Sequence, residues 1–156
     1  MRRVWRYDLF LSFRGPDVRK GFVDHLYEAL TSADIHVFLD AYQLTKGDDI
    51  GETLGCAIQR SRIKIPIFSP DYATSVWCLK EVALIASEVH GRTIPLFYNV
   101  LPSHVRHPEQ CGSPFARAFQ YHQSNGSHSG EEIDEWKAAL LRVSNLSGWS
   151  LQDTNG

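Results

Sequence analysis

Short apolar runs of strand length alternate along this chain with segments whose apolar positions repeat at helical spacing. Residues 7–13 (Tyr-Asp-Leu-Phe-Leu-Ser-Phe) form a compact β-rich run. Phe22, Leu26, Ala29, Leu30 and Ala33 then keep the spacing of a helix with one inward face. Residues 36–39 read as a second strand. Asp49 with Glu52 three positions on has the form of a capping box, and Ile50, Leu54, Ala57 and Ile58 continue one helical stripe. Residues 63–68 are a third strand. Thr74 or Ser75 can cap a helix in which Cys78, Val82, Ile85 and Val89 share a face. Residues 94–98 are a fourth strand. Beyond it Pro102, Pro108, Gly112 and Pro114 break the chain into short helices, and residues 124–130 are a polar loop. Ile133, Trp136, Leu140 and Val143 then define a last helix before a short strand at 149–151.

Strand and helix in alternation predict an α/β fold with a parallel sheet covered on both faces and right-handed crossovers. Pro66 and Pro95 fall inside strands that this pattern places centrally, where proline removes a ladder donor. Either they stand at strand starts or the ladder tolerates a gap. With 156 residues, no internal repeat and no linker-like stretch, the expectation is one domain over 1–156.

Charge and cysteine usage narrow the function classes. A net charge of −2 gives none of the basic footprint of a dedicated nucleic-acid binder. Cys56, Cys78 and Cys111 are odd in number and lack Cys-x-x-Cys spacing, which argues against a disulfide framework and a structural zinc site. The N-terminus lacks an apolar signal region, and no run of about 18 apolar residues occurs. The expectation is a cytoplasmic or nucleo-cytoplasmic protein with no metal and no membrane contact.

Residues 7–17, Tyr-Asp-Leu-Phe-Leu-Ser-Phe-Arg-Gly-Pro-Asp, resemble the opening of plant-type TIR (Toll/interleukin-1 receptor) domains. Residues 44–50 (Leu-Thr-Lys-Gly-Asp-Asp-Ile) are similar to the family's BB loop. The likeness is densest at 68–82, Phe-Ser-Pro-Asp-Tyr-Ala-Thr-Ser-Val-Trp-Cys-Leu-Lys-Glu-Val, and continues at 95–98, 102–106 and 146–149. Six blocks in order cover most of the chain. The resemblance implies a flavodoxin-like five-stranded parallel sheet of order 2-1-3-4-5 with helices on both faces. It also implies self-association through the His25 region of the first helix and the Gly148 region. Three departures stand out. Leu101 precedes Pro102 where the family has Asp, and Asp24 precedes His25 where many members have Ser. The chain ends at Gly156, where a final helix normally follows, so that helix is expected to be missing and apolar sheet surface to be uncovered.

For strand order 2-1-3, ligands belong in the crevice beyond the first and third strands. The loops there are 13–18 and 69–76. Phe13, Arg14, Gly15, Pro16, Asp17 and Val18 form the first: Gly15 permits close backbone approach to a phosphate and Arg14 offers a bidentate fork. A plain tight turn with a solvated Arg14 reads the same residues as well. Ser75 and Trp77 come from the second, where Trp77 either stacks a base or packs on the core. Cys78 shares the apolar stripe and reads as core. Glu81 sits about one turn into the following helix, where the helix dipole favours a charged carboxylate; by residue type alone it is as well a favourable first-turn residue. The resemblance makes Glu81 catalytic and Lys46 and Gly47 part of a mobile gating loop.

The family reading is therefore a self-associating signalling domain of plant innate immunity with NAD⁺ nucleosidase activity. NAD⁺ or NADP⁺ is its substrate rather than a cofactor, and ADP-ribose or a cyclised form is the product. The alternative is a non-catalytic homotypic adaptor acting by assembly alone. A phospho-accepting receiver on this fold needs an acidic pair after the first strand and an Asp ending the third; Phe13-Arg14-Gly15 and Ser69-Pro70 occupy those places.

Overall fold

The computed structural model describes residues 5–14, 19–39 and 50–151, the side chains of 19–20 and 50–54 excepted. In chain order the strands are β1 (Tyr7–Ser12), β2 (Val37–Phe38), β3 (Ser61–Phe68), β4 (Arg92–Thr93), β5 (Leu96–Tyr98) and β6 (Trp149–Leu151). The helices are α1 (Asp24–Ser32), α2 (Ile50–Gln59), α3 (Val76–Ser87), α4 (Pro102–Arg106), α5 (Ala116–Ser124) and α6 (Gly130–Ser144). A π-helical turn, Arg19–Val23, runs into α1, and a 3₁₀ turn, Tyr72–Thr74, precedes α3. All pairings are parallel in the order β2-β1-β3-β5-β6, with β4 also beside β3. With β4 and β5 counted as one interrupted strand, this is the expected order 2-1-3-4-5.

Strand alternation distributes the core. Leu9, Leu11, Phe13, Ile65 and Ile67 face α1, joined by Val23, Phe22, Leu26 and Leu30. Phe10 and Phe68 face the other way, into a larger cluster with Ala57 and Ile58 of α2, Cys78, Leu79, Val82 and Ile85 of α3, and Ile133, Trp136, Leu140 and Val143 of α6. The stripe of α1 differs from the periodic reading: Ala29 and Ala33 are exposed. The π turn places an extra residue ahead of α1 and rotates its inward face onto Val23, Leu26, Tyr27 and Leu30. Val89 is likewise no part of a buried stripe. Helix α3 stops at Ser87, and Val89 lies beyond it, 79% exposed. Asp49, of the expected capping box, lies outside the described residues.

The two strand prolines resolve differently. The amide of Ile94 donates to the Lys64 carbonyl at 2.9 Å, so Lys64 and, two residues on, Pro66 turn their polar groups toward β5. Pro66 has no amide to return, and the ladder breaks between Lys64↔Thr93 and Ile67↔Leu96. Pro95 faces the other way: its carbonyl accepts from the Trp149 amide at 3.1 Å, at the start of β6, where a missing donor costs nothing in the ladder.

On the α1 face, cover is uneven among the described residues. Trp149 and Leu151 stand level with Leu96 and Tyr98 and share their face. They are 58% and 38% exposed.

Candidate active site

The crevice is built at the C-terminal ends of β1 and β3. Ser12 closes β1, fully buried, and its hydroxyl lies 2.7 Å from the Tyr72 hydroxyl. Tyr72 in turn donates to the Cys78 carbonyl at 3.1 Å, so the Ser12 hydroxyl donates to Tyr72. The Cys78 thiol donates to the Phe13 carbonyl at 3.4 Å, and Arg14 Nε donates to Thr74 Oγ1 at 3.3 Å. Thr74 Oγ1 then donates to the Asp71 carbonyl at 2.6 Å. These contacts tie the loop after β1 to the turn after β3 and to the first turn of α3. Two segments about 60 residues apart thus become one wall, the reversal point where open parallel sheets bind ligands.

Ser75 is the N-cap of α3, and its side-chain oxygen accepts from the Cys78 amide at 3.2 Å. Its hydroxyl proton stays available for a second bond. Trp77 is half-buried against the larger core cluster, with its indole N–H buried and without an acceptor among the described residues. It therefore packs on the core in this state instead of standing open to stack a base. Cys78 is buried, as its stripe implied.

Glu81 is fully buried. It is the sixth residue of α3, whose first turn carries no acidic residue. The dipole argument made for it from sequence therefore does not hold, since that field falls off within the first turn, where the amides still lack helical acceptors. Gly15, Pro16, Asp17, Val18, Lys46 and Gly47 lie outside the described residues; of the expected site Phe13, Arg14, Ser75, Trp77 and Glu81 are described, and hydrogen bonds tie Phe13 and Arg14 to the turn and the helix that carry the other three. Tyr72 and Ser12 belong to the same wall and escaped the sequence reading: a buried tyrosine hydroxyl paired across 60 residues leaves no local pattern.

The expected contact regions are placed as follows. His25 is exposed near the start of α1, and its Nδ1 donates to the Gly21 carbonyl at 2.8 Å. Gly148 lies tight on Pro95: a Cβ there would come within 1.9 Å of the Pro95 carbonyl oxygen. Two open grooves, of about 460 and 520 Å³, lie at the opposite, N-terminal ends of the strands, beside Arg92 and beside Arg6 and His36 respectively. No three or more His, Cys, Asp or Glu gather as a metal site among the described residues, and no described helix is long and apolar enough to cross a membrane.

Parallel strands in this order, with the crevice between the first and third, define an open α/β protein of flavodoxin-like topology. Within that class the chain belongs to the TIR domain family, whose model matches residues 6–156. It is 43% identical over 147 residues to TMV resistance protein N of Nicotiana glutinosa, which covers 92% of this chain and 13% of that protein. Against disease resistance protein RUN1 of Vitis rotundifolia it is 44% identical over 158 residues, covering 97% of this chain and 11% of that one. The chain thus spans only a small part of the length of these relatives. Among solved structures it is similar to the TIR domains of the activated Roq1 resistosome, which directly recognises the pathogen effector XopQ. That match has 39% identity and a TM-score of 0.81, over 93% of this chain and 87% of that one.

Proposed function

We propose that this plant-type TIR domain cleaves the nicotinamide–ribose bond of NAD⁺ in self-association with further copies, and that Glu81 is the catalytic residue. The observation that carries the reading is the full burial of Glu81 in α3, the helix whose first turn is tied to the loop after β1. Helix packing alone would be served by an apolar side chain, which needs no polar partner in the core. As the bond between the ribose C1′ and the nicotinamide nitrogen breaks, its electron pair returns to the ring and neutral nicotinamide leaves without a proton. Positive charge grows on C1′ and the ring oxygen. A carboxylate held away from water stabilises that charge more strongly than one in solvent. Water then adds to C1′ and loses a proton, giving ADP-ribose; attack by an adenine nitrogen gives a cyclised product. Arg14 and the donors of loop 13–18 suit the diphosphate, and Ser75 retains a proton to donate.

The similarity to TIR domains of an activated resistosome supports the assembly part of the reading. The relatives' names support a role in disease resistance and its signalling. Burial of Glu81 also favours a second reading, in which the domain acts by assembly alone and substrate never reaches the carboxylate. Nicotinamide release measured over a series of protein concentrations separates them. Wild type is expected to turn over with a specific activity that rises with concentration, and Glu81→Ala to lose about 100-fold or more. Equal turnover in the two proteins would overturn the catalytic claim, and a flat concentration dependence the claim that copies must associate.

A further inference from the structure

One bond on the wall of the crevice comes from outside the two loops that form it. His122 of α5 is 2% exposed, and its Nε2 lies 2.8 Å from the carbonyl oxygen of Ala73, the middle residue of the 3₁₀ turn Tyr72–Thr74. A carbonyl only accepts, so Nε2 carries the proton and donates. The ring is held by Phe119, Tyr121, His128 and Trp136, at centroid separations of 6.3, 5.9, 6.3 and 5.8 Å. His128 is itself fixed to Glu132 of α6 at 2.6 Å. Ala73 is fully buried, so water cannot replace His122 at its carbonyl without opening the turn.

What the turn carries gives this bond its consequence. Tyr72 reaches Ser12 and the first turn of α3. Thr74 meets Arg14, and Ser75 caps the helix that bears Glu81. Strand β1 and helix α3 hold the turn through Tyr72; His122 of α5 holds it separately, through the Ala73 carbonyl. We propose that His122 is a positioning residue for the active site, acting through Ala73 to keep Thr74 against Arg14 and Ser75 on the N-terminus of α3. It touches no substrate. Its effect on turnover rests on the function proposed above; its hold on the turn does not.

The test uses two amides of equal polarity and different reach. In His122→Gln the side-chain Nε2 takes the place of the imidazole Nε2 and can donate to Ala73; in His122→Asn the amide stops short. His122→Phe keeps an aromatic ring and removes the donor. Amide hydrogen exchange is read at Thr74 and Ser75, whose N–H groups bond to Asp71 and Tyr72, against Leu11 and Ile65 in the strands. NAD⁺ turnover is read as kcat and KM separately. The Asn and Phe variants are expected to exchange Thr74 and Ser75 about tenfold faster or more with the strand amides unchanged. Their kcat should fall about tenfold or more, and Gln should restore both readings toward wild type. Unchanged exchange at Thr74 and Ser75, or acceleration spread evenly through the sheet, would overturn the proposal, as would a Gln variant no better than Asn. A wild type without turnover counts against the proposed function alone, and the exchange ratio still decides the claim about His122. If the Phe variant does not fold, the Gln and Asn pair carries the comparison.

Discussion

Pro66 and Pro95 stand level across the β3–β5 pair, yet the amide donors they lack would face in opposite directions. The register offset is the same on both sides of the break, Lys64↔Thr93 and Ile67↔Leu96, which sets the two prolines opposite each other. Pro66 lacks a donor toward β5, whereas Pro95 lacks one toward the start of β6. Pro66→Ala therefore supplies an amide that can close the gap onto the Ile94 carbonyl, and its exchange should be as slow as that of Ile67. The amide of Pro95→Ala, ahead of the first β6 residue, should exchange much faster. Equal protection of the two new amides, measured by NMR, would contradict this register.

Three glycines separate steric clash from backbone strain. Gly148→Ala puts a methyl 1.9 Å from the Pro95 carbonyl oxygen, a backbone atom in the sheet. A loss of about 3 kcal/mol, or failure of β6 to dock, is expected. Gly91→Ala combines a φ of +81° with a contact of 2.6 Å to the Arg62 carbonyl and should also cost about 3 kcal/mol. Gly112→Ala has a φ of +91° but open space around it, so strain alone applies, about 1 kcal/mol. Urea unfolding of the three variants should reproduce that order.

Glu81→Gln keeps the volume of the side chain and removes its charge. Because the residue is fully buried, the neutral amide is cheaper to desolvate. Thermal melting is expected to show cooperative unfolding close to that of wild type in the same variant that loses nicotinamide release. A large fall in Tm would mean that the carboxylate holds the fold together, and its retention would need no catalytic reason.

Acid stability has one small identifiable contributor. The Lys137 ammonium, 2.8 Å from Glu109, lowers that carboxyl's pKa below the usual 4.5 through its hydrogen bond, opposed by slight desolvation and helped by Gln123. A lowered folded-state value means that the stabilisation is present above the unfolded pKa and is lost as pH falls through the folded one. With the Glu109 side chain 53% exposed, the pair contributes less than about 1 kcal/mol. Lys137→Met should reduce stability slightly at pH 7, and that loss should shrink as pH falls through the lowered folded-state pKa of Glu109.

What could be read from the residues alone was what depends on near neighbours. Ser75 as a cap, the stripe Cys78–Val82–Ile85 and the inward face of α6 each follow from spacing of three or four along the chain, and the strands from apolar runs. The face of α1 was misread at Ala29 and Ala33 because periodicity assumes a regular helix, and the π turn ahead of α1 breaks that assumption. Glu81 was read as a first-turn residue although a cap at Ser75 already counts it six positions on, past the turn where the helix dipole acts. The wall itself was visible only as two loops that ought to meet. Which atoms join them, Ser12 to Tyr72 and His122 to Ala73, depends on pairs 60 and 49 residues apart, and nothing local records such a pair.

Those separations bear on how the domain folds. The bonds that define the crevice close loops of 65, 60 and 49 residues, and each must overcome its closure entropy before it stabilises anything. Helices α5 and α6, which lie late in the chain, supply His122 and the aromatic rings around it. During synthesis the segment carrying Glu81 therefore leaves the ribosome well before His122, which bonds to the turn ahead of its helix. The wall of the crevice is a late product of folding, assembled only after α5 has been made.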